Sequence, residues 1–489
     1  LVSCQGAITW LPSGQFVLME QEDRIHDEEV LMIPRGQSRA IKIQGSFNLN
    51  SWRTGFSTAH ETGLEFAVLD DVPTITARKD SQSGLSHFAL LLSPPDNPFP
   101  AMRIEASAHI CDPLDIRVRP LPPRPDGSRH FLVTFRNNGL HPTSCHARLE
   151  TGPDIRLSRS TITTPLLEPG RSFSEQIEIL SHHDPDDLFH ICVQSSLDDG
   201  VEVAHKELIT FMESRKTGVS PDIDGDLSDW PRESRFIRFG SNLQIIGGYV
   251  PWNGPEDCSA RLYTCWDDEW IYFGVEFQDD RLSSPCLGFT VYNNDGIELY
   301  FDTDHEGDWG EAIYSNDDHQ YGLSLEQGRA VVYSWSQLKG ESKDSRITLN
   351  TSPLTTQTIS GRPFRGMIIE AAIPLDELGL APHEGMQIGF SAAATDDDDP
   401  HTVHPFFQEV QFGWTRRKNQ WQNPTTFGDL FFTDLGAWPG TPSSTFEALN
   451  DERDRLFFSW PTEGLKDISG DLFRKIKRQG FNTISLDWS

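Results

Sequence analysis

The sequence predicts a mainly β protein: tandem β-sandwich domains with a short α/β segment at the C-terminus. Three observations carry this. Short runs of strand-like residues recur, such as Ala40-Ile41-Lys42-Ile43-Gln44 and Phe131-Leu132-Val133-Thr134-Phe135, and no long helical period separates them. Gly, Pro, Asn and Asp punctuate these runs at turn spacing, as in Asn137-Asn138-Gly139 and Glu168-Pro169-Gly170. Only the last residues change pattern, to strand, helix, strand. At 489 residues the chain exceeds a single core, so about three to four domains are expected.

The domains follow in order. Residues 1–112 are β-rich, with strands such as Phe88-Ala89-Leu90-Leu91-Leu92, and no role is assigned to them. Residues 113–215 read as an immunoglobulin-like β-sandwich, with strands at Leu114–Val118, Phe131–Phe135, Ala147–Glu150 and Phe189–Val193. Nothing in these 215 residues clusters as chemistry, so a spacer role is expected. Residues 216–440 form a third strand-rich unit. A linker, Trp438-Pro439-Gly440-Thr441-Pro442-Ser443-Ser444, then opens residues 441–489. There a strand at Leu456–Trp460, an amphipathic helix from Ile468 to Gln479, a C-capping Gly480 and a strand at Phe481–Trp488 make the first unit of a parallel α/β fold.

Charge narrows the partners. The chain has 41 basic and 73 acidic residues, a formal net charge of −32. Phosphate backbones and anionic lipid surfaces are repelled, so nucleic acid is excluded as a partner. Neutral oligo- or polysaccharides and cations remain. No run of about 18 apolar residues occurs, so no membrane-spanning segment is expected. Seven cysteines lack a C-x-x-C pair, which argues against zinc or thioredoxin-type chemistry. Cys145 and Cys192 either bridge two sheets of one sandwich or remain free buried thiols. Leu1-Val2-Ser3-Cys4 matches a bacterial lipoprotein cleavage box but lacks the preceding charged and apolar regions, so it is read as a chance match. The chain starts without Met and stops in an apolar run, and it is read as a monomeric piece of a longer product.

The third unit carries the chemistry. In Asn419-Gln420-Trp421-Gln422-Asn423-Pro424-Thr425-Thr426-Phe427-Gly428-Asp429, a tryptophan stands on a polar turn before a short strand. Tyr292-Asn293-Asn294-Asp295-Gly296-Ile297-Glu298 repeats the device: aromatic, amides and acid, then strand. The unit also holds Asp222-Ile223-Asp224-Gly225-Asp226-Leu227-Ser228-Asp229-Trp230, the Arg261–Asp280 stretch, Ile369–Leu375 and Ile388–Asp396. Two facing aromatics hold a pyranose by its apolar C–H faces. Its hydroxyl rim needs groups that accept and donate, which Asn294, Asp295, Glu298, Gln422 and Asn423 offer. The competing reading makes Tyr292 and Trp421 core aromatics at strand ends.

In order and wording, residues 216–440 resemble family 9 carbohydrate-binding modules, β-sandwiches attached to xylanases and other glycosidases. The resemblance implies that Tyr292 and Trp421 sandwich a terminal sugar, with Asn294, Asp295 and Glu298 as polar contacts. An arginine that contacts the sugar in such modules aligns with Gly322, and Tyr292 stands in place of a tryptophan. Both departures point to altered specificity, weaker binding or loss of binding. The resemblance also implies structural calcium, with Asp279 at a ligand position, and a protein working outside the cytoplasm: extracellular, periplasmic or cell-surface. No organic cofactor is implied.

Asp302-Thr303-Asp304-His305-Glu306-Gly307 has carboxylates at alternate positions, partly like a calcium loop, so Asp302 and Asp304 join Asp279 as candidate metal ligands. Ile313 stands where a bidentate Glu belongs, so this is no EF-hand. The run Asp396–Asp399 reads as an exposed loop. A haem-binding sandwich with Met and His ligands is a weaker alternative, since Met367 and Met386 do not fall on site-like loops.

The C-terminal Arg478–Trp488 stretch resembles the opening of a (β/α)-barrel glycoside hydrolase; an unrelated truncated α/β domain fits the same residues. A glycosidase needs two carboxylates across a cleft, and Asp487 alone is no pair. The region is therefore expected to be non-catalytic, the carbohydrate-binding part of a larger glycoside hydrolase engaged in polysaccharide degradation. The alternative is a β-sandwich spacer of a surface protein whose module has lost its sugar.

Overall fold

The computed structural model describes most of residues 31–434, together with 17–20, 456–457 and 484–485. Within 31–434 it leaves out 45–52, 59–62, 70–71, 94–101, 125, 182–187, 231–235, 308–309, 337–339, 343–344, 352–365 and 399–407. The expected linker at 438–444, the helix at 468–479, Cys4, Asp399 and Asp487 lie outside the described residues. Leu456–Phe457 and Ile484–Ser485 pair in parallel, the geometry that a strand–helix–strand unit requires.

The chain divides into two compact units, one built mainly from residues before 209 and one from Ile209 onward. Among the described residues the first unit has four four-stranded sheets. Two of them alternate cleanly. In Leu114–Pro120 the residues Leu114, Ile116 and Val118 point inward, and in Phe189–Leu197 so do Phe189, Ile191, Val193 and Leu197. This is the period-2 pattern of sheets with one wet face. Asn137 holds the Asn137-Asn138-Gly139 turn by accepting from Gly139 N at 2.7 Å and donating to the carbonyls of His141 and Leu167. Cys145 and Cys192 are both free thiols. They sit on neighbouring strands of one sheet, Cys145 opposite Leu197 and Cys192 opposite Glu150, so register keeps them apart.

Among the described residues between 209 and 434, the second unit is one continuous ribbon of strands that folds on itself. One half runs through Arg329–Ser334, Asp318–Glu326, Gly296–Asp302, Gln387–Asp396 and Gly428–Thr433. The other runs through Cys258–Trp266, Trp270–Asp279, Gly366–Pro374 and Arg346–Thr351. Met212–Lys216 joins them, parallel to both Gly428–Thr433 and Cys258–Trp266. Phe273 from one half stacks on Phe390 of the other at 6.1 Å and meets Phe301 edge-on at 5.9 Å. The halves therefore pack face to face around an aromatic core.

The outer face of the second half is covered by the chain itself. Leu227 and Trp230 lie on Tyr263, Tyr272 and Ile368. Gly274 permits this, since a Cβ there would come within 2.8 Å of Leu227 Cδ2 and 2.9 Å of Trp230 Cε2. Glu370 locks the cover. Its Oε2 accepts from the backbone N–H groups of Asp224 at 3.0 Å, Gly225 at 2.5 Å and Asp226 at 3.1 Å, while Oε1 accepts from Trp230 Nε1 at 2.5 Å. The Asp222–Trp230 motif is thus a nest for a strand carboxylate, with Gly225 at φ +89° making the bend. Glu370→Gln places an amide N–H against these donors and is expected to destabilise the unit by roughly 3 kcal/mol, read as a lower denaturant midpoint with unchanged slope.

Candidate functional site

The outer face of the first half is different: it is mixed, with an apolar cluster of Tyr300, Ala393 and Phe427 beside a set of polar side chains. Along Gly296–Asp302, Ile297, Leu299 and Phe301 enter the core, and period 2 turns Glu298 and Tyr300 to the opposite face. Glu298 is 5 % exposed. Its Oε2 accepts from Tyr300 Oη at 3.0 Å and Gln320 Nε2 at 2.8 Å, and its Oε1 accepts from Gln411 Nε2 at 3.0 Å. Burial pushes the carboxyl up to about 7, and the three donors draw it back toward the ionised form. Each carboxylate oxygen accepts about two hydrogen bonds, so Oε1 retains an acceptor position for a hydroxyl.

Two turns flank this floor. On one side the 3-10 turn Gly288–Asn293 carries Tyr292, half-buried, edge-on to Phe289 at 6.3 Å and to Trp335 at 6.2 Å. Gln408 Nε2 donates to the Tyr292 carbonyl at 2.8 Å. On the other side Trp421 is 58 % exposed on the turn before Pro424–Thr426. Its neighbour Gln420 is buried, donates to Thr415 Oγ1 at 2.9 Å, and accepts at its carbonyl from Tyr314 Oη at 2.7 Å. Phe427 packs on Tyr300 at 5.9 Å and so seats this turn on the face that carries Glu298. Gly413 pairs with Ala393, which pairs with Glu298, and a Cβ on Gly413 would meet Gln420 Nε2 at 3.0 Å. Both turns therefore border one strip of sheet.

Gly322 lies opposite Glu298 on the neighbouring strand. A Cβ there would come within 2.5 Å of Trp335 Cη2, so the indole lies across the glycine. Trp335 Nε1 donates to the Phe289 carbonyl at 2.9 Å, and Tyr333 packs on the ring at 5.1 Å.

Residues 244–435 match the family model described as Carbohydrate family 9 binding domain-like. A carbohydrate-binding module of family 9 from Caldicellulosiruptor kristjanssonii in complex with cellotriose is 20% identical, over 45% of this chain and 93% of that one, with a TM-score of 0.34. The module from the same organism in complex with glucose is 21% identical over 45% and 95%, TM-score 0.32. A putative carbohydrate-binding protein from Bacteroides uniformis is 12% identical over 45% and 99%, TM-score 0.29. No curated protein matches the chain. Among the described residues no helix is long and apolar enough to cross a membrane.

In this family 9-like region, Glu298 heads the polar floor while Asn294 and Asp295 are diverted from it. Both are nearly fully buried. Asn294 Oδ1 accepts from Cys286 N at 2.8 Å, and its Nδ2 donates to the carbonyls of Cys286 and Leu325, both at 2.9 Å. Asp295 accepts from Ser283 N and from Asp397 N. These two side chains brace the loop that presents Tyr292 rather than facing a ligand. Asn423 caps Pro424–Thr426 through Thr425 N at 3.1 Å, whereas the Gln422 side chain is exposed beside Trp421. Sequence reasoning missed Gln320, Gln411 and Trp335. The signal for Gln320 and Trp335 was period 2 along their own strands, legible only once strand pairing is known.

The cation candidates divide as well. Asp302 Oδ2 is paired with His305 Nδ1 at 2.7 Å, and Asp304 is an exposed turn residue, so the alternating acids of that loop do not converge. Strand ends converge instead: Asp279, Asp396 and Asp398 form one group, and Asp257, Asp280 and Asp398 another. Asp396 and Asp397 are 2 % and 1 % exposed, which corrects the exposed-loop reading of that run. Asp279 Oδ2 and Asp396 Oδ1 are buried without a hydrogen-bond partner. Burial and neighbouring acids push Asp279 up to about 7 and Asp396 to about 9 from 3.8. In chelator the folded state thus holds protons that the unfolded chain releases, so stability should fall as pH rises from about 5 toward about 9. Asp396→Asn should flatten that slope and raise the thermal midpoint in chelator near pH 8, measured by calorimetry.

Proposed function

We propose that the region around residues 244–435 is a non-catalytic carbohydrate-binding module that holds a neutral pyranose between Tyr292 and Trp421. The observation that carries this is Glu298: a nearly buried carboxylate, held by three donors, with acceptor capacity left between two turn aromatics. The family-model match over 244–435 supports the ligand class. The rings cover the apolar C–H faces, each stacking contact adding about 1 kcal/mol beyond the area it hides. Glu298 Oε1 takes a ring hydroxyl, and Gln422 lies within the rim.

The module serves a larger glycoside hydrolase that works on polysaccharide outside the cytoplasm. Residues 113–215 act as an immunoglobulin-like spacer, a reading supported by two sheets of four strands each in this stretch. Calcium fits the strand-end acids, because a cation would satisfy the orphaned oxygens of Asp279 and Asp396 in place of protons. Asp279, Asp396 and Asp398 would hold it, with the second group sharing Asp398. The ion would fix the Asp396–Asp398 segment, whose Asp397 N–H anchors Asp295 and through it the Tyr292 loop.

Isothermal titration with neutral oligosaccharides should give dissociation constants of roughly micromolar to millimolar. Trp421→Ala should abolish the heat, and an unchanged titration in that variant removes the site assignment. Adding calcium to chelator-treated protein should raise its thermal midpoint. Asp396→Asn should remove most of that rise; an equal rise in the variant excludes this cluster.

A further inference from the structure

Two Asn-Gly pairs occur in the sequence, Asn138-Gly139 and Asn253-Gly254. In such a pair the glycine backbone nitrogen can attack the asparagine side-chain carbonyl carbon, because no Cβ shields the approach. Both asparagines are exposed, so solvent access does not separate them. Hydrogen bonding does. Gly139 is buried, and its N–H donates to Asn137 Oδ1 at 2.7 Å. Its neighbours are fixed as well: Asn138 N donates to the Pro113 carbonyl at 2.9 Å and Leu140 N to Gln37 Oε1 at 2.6 Å. A Cβ on Gly139 would lie 2.6 Å from Gln37 Nε2, so this glycine is packed in.

The second pair is held around its nucleophile but not at it. Asn253 N donates to Asp257 Oδ2 at 2.7 Å, and the Gly254 carbonyl accepts from Asp257 N at 3.0 Å. The Gly254 N–H has no acceptor among the described residues, and nothing lies within 4 Å of the position a Cβ would take there. The Asn253 amide is anchored only by Nδ2 at 3.5 Å from Asp257 Oδ1, longer than a good hydrogen bond. Nucleophile and amide are thus both available.

We infer that Asn253 is a site of spontaneous deamidation, whereas the fold protects Asn138. The bond from Gly254 N to Asn253 Cγ forms, the Cγ–Nδ2 bond breaks, and ammonia leaves with the Gly254 amide proton. Water then opens the resulting succinimide to aspartate or isoaspartate; nothing is oxidised or reduced. Each event replaces an amide by a carboxylate against Asp257, which belongs to the acidic group with Asp280 and Asp398. The product repels the side chain that the amide had met.

The test is peptide mapping by mass spectrometry after prolonged incubation of the whole chain in mildly alkaline buffer, folded and in urea. In urea both asparagines should react at similar rates, because unfolding removes the difference between them. In the folded chain, conversion at Asn253 should be at least about tenfold faster than at Asn138, whose nucleophile is committed to a buried hydrogen bond. Ion-exchange chromatography of the aged folded protein should show an acidic species that Asn253→Gln lacks. Asn253 left intact in the folded chain, or Asn138 keeping pace with it, overturns the inference. So does an acidic species that persists undiminished in Asn253→Gln.

Discussion

Glu298 is a carboxylate held almost out of water on a sheet face, and the site is arranged around that requirement. An ion so placed is costly unless hydrogen bonds replace the water it has lost. Tyr300 supplies one from the same strand, Gln320 one from the neighbouring strand and Gln411 one from further along the sheet. Each donor is in reach only because Gly296–Asp302 pairs in a definite register with Asp318–Glu326 on one side and Gln387–Asp396 on the other. A slip by one residue would send Glu298 into the Phe273–Phe301–Phe390 core.

The two halves of the second unit treat a strand carboxylate in opposite ways. Glu370, also pushed up to about 7 by burial, meets four donors of its own chain and is sealed beneath Trp230. Glu298 meets three, and Trp421, on the turn that Phe427 seats on Tyr300, is open to solvent. The difference lies in the covering segment. Asp222–Trp230 is a tight nest with apolar side chains that fill the face. The turns around Tyr292 and Trp421 are braced from behind, by Asn294, Asp295 and Gln420.

Much of this was legible in the residues. Strand alternation located the sheets, and the polar surroundings of Trp421 marked it as solvent-facing, which its exposure bears out. Glu298 was legible as a strand carboxylate following an aromatic turn. Asn294 and Asp295 read as ligand contacts in the sequence and bond loop backbone in the fold, because an amide beside a turn aromatic has two uses: binding a hydroxyl, or satisfying loop backbone. Only the positions of Cys286, Leu325, Ser283 and Asp397 separate these uses, and all four are distant in sequence or set by other loops. Asp302 and Asp304 were grouped because they are close in sequence, yet charge clusters form where strand ends meet, as at Asp279 and Asp396.

Taken alone, the sequence determined the fold class, the polar turns that carry Tyr292 and Trp421, and the acidic excess that favours neutral ligands or cations. These are local properties: periodicity, turn chemistry and charge. Tertiary structure decided which residues share a face. It placed Gln320 and Gln411 on Glu298, gathered Asp279, Asp396 and Asp398, and laid Trp335 across Gly322. Each of these depends on strand register between segments far apart in the chain, and register is set by the shared aromatic core, which no local pattern records.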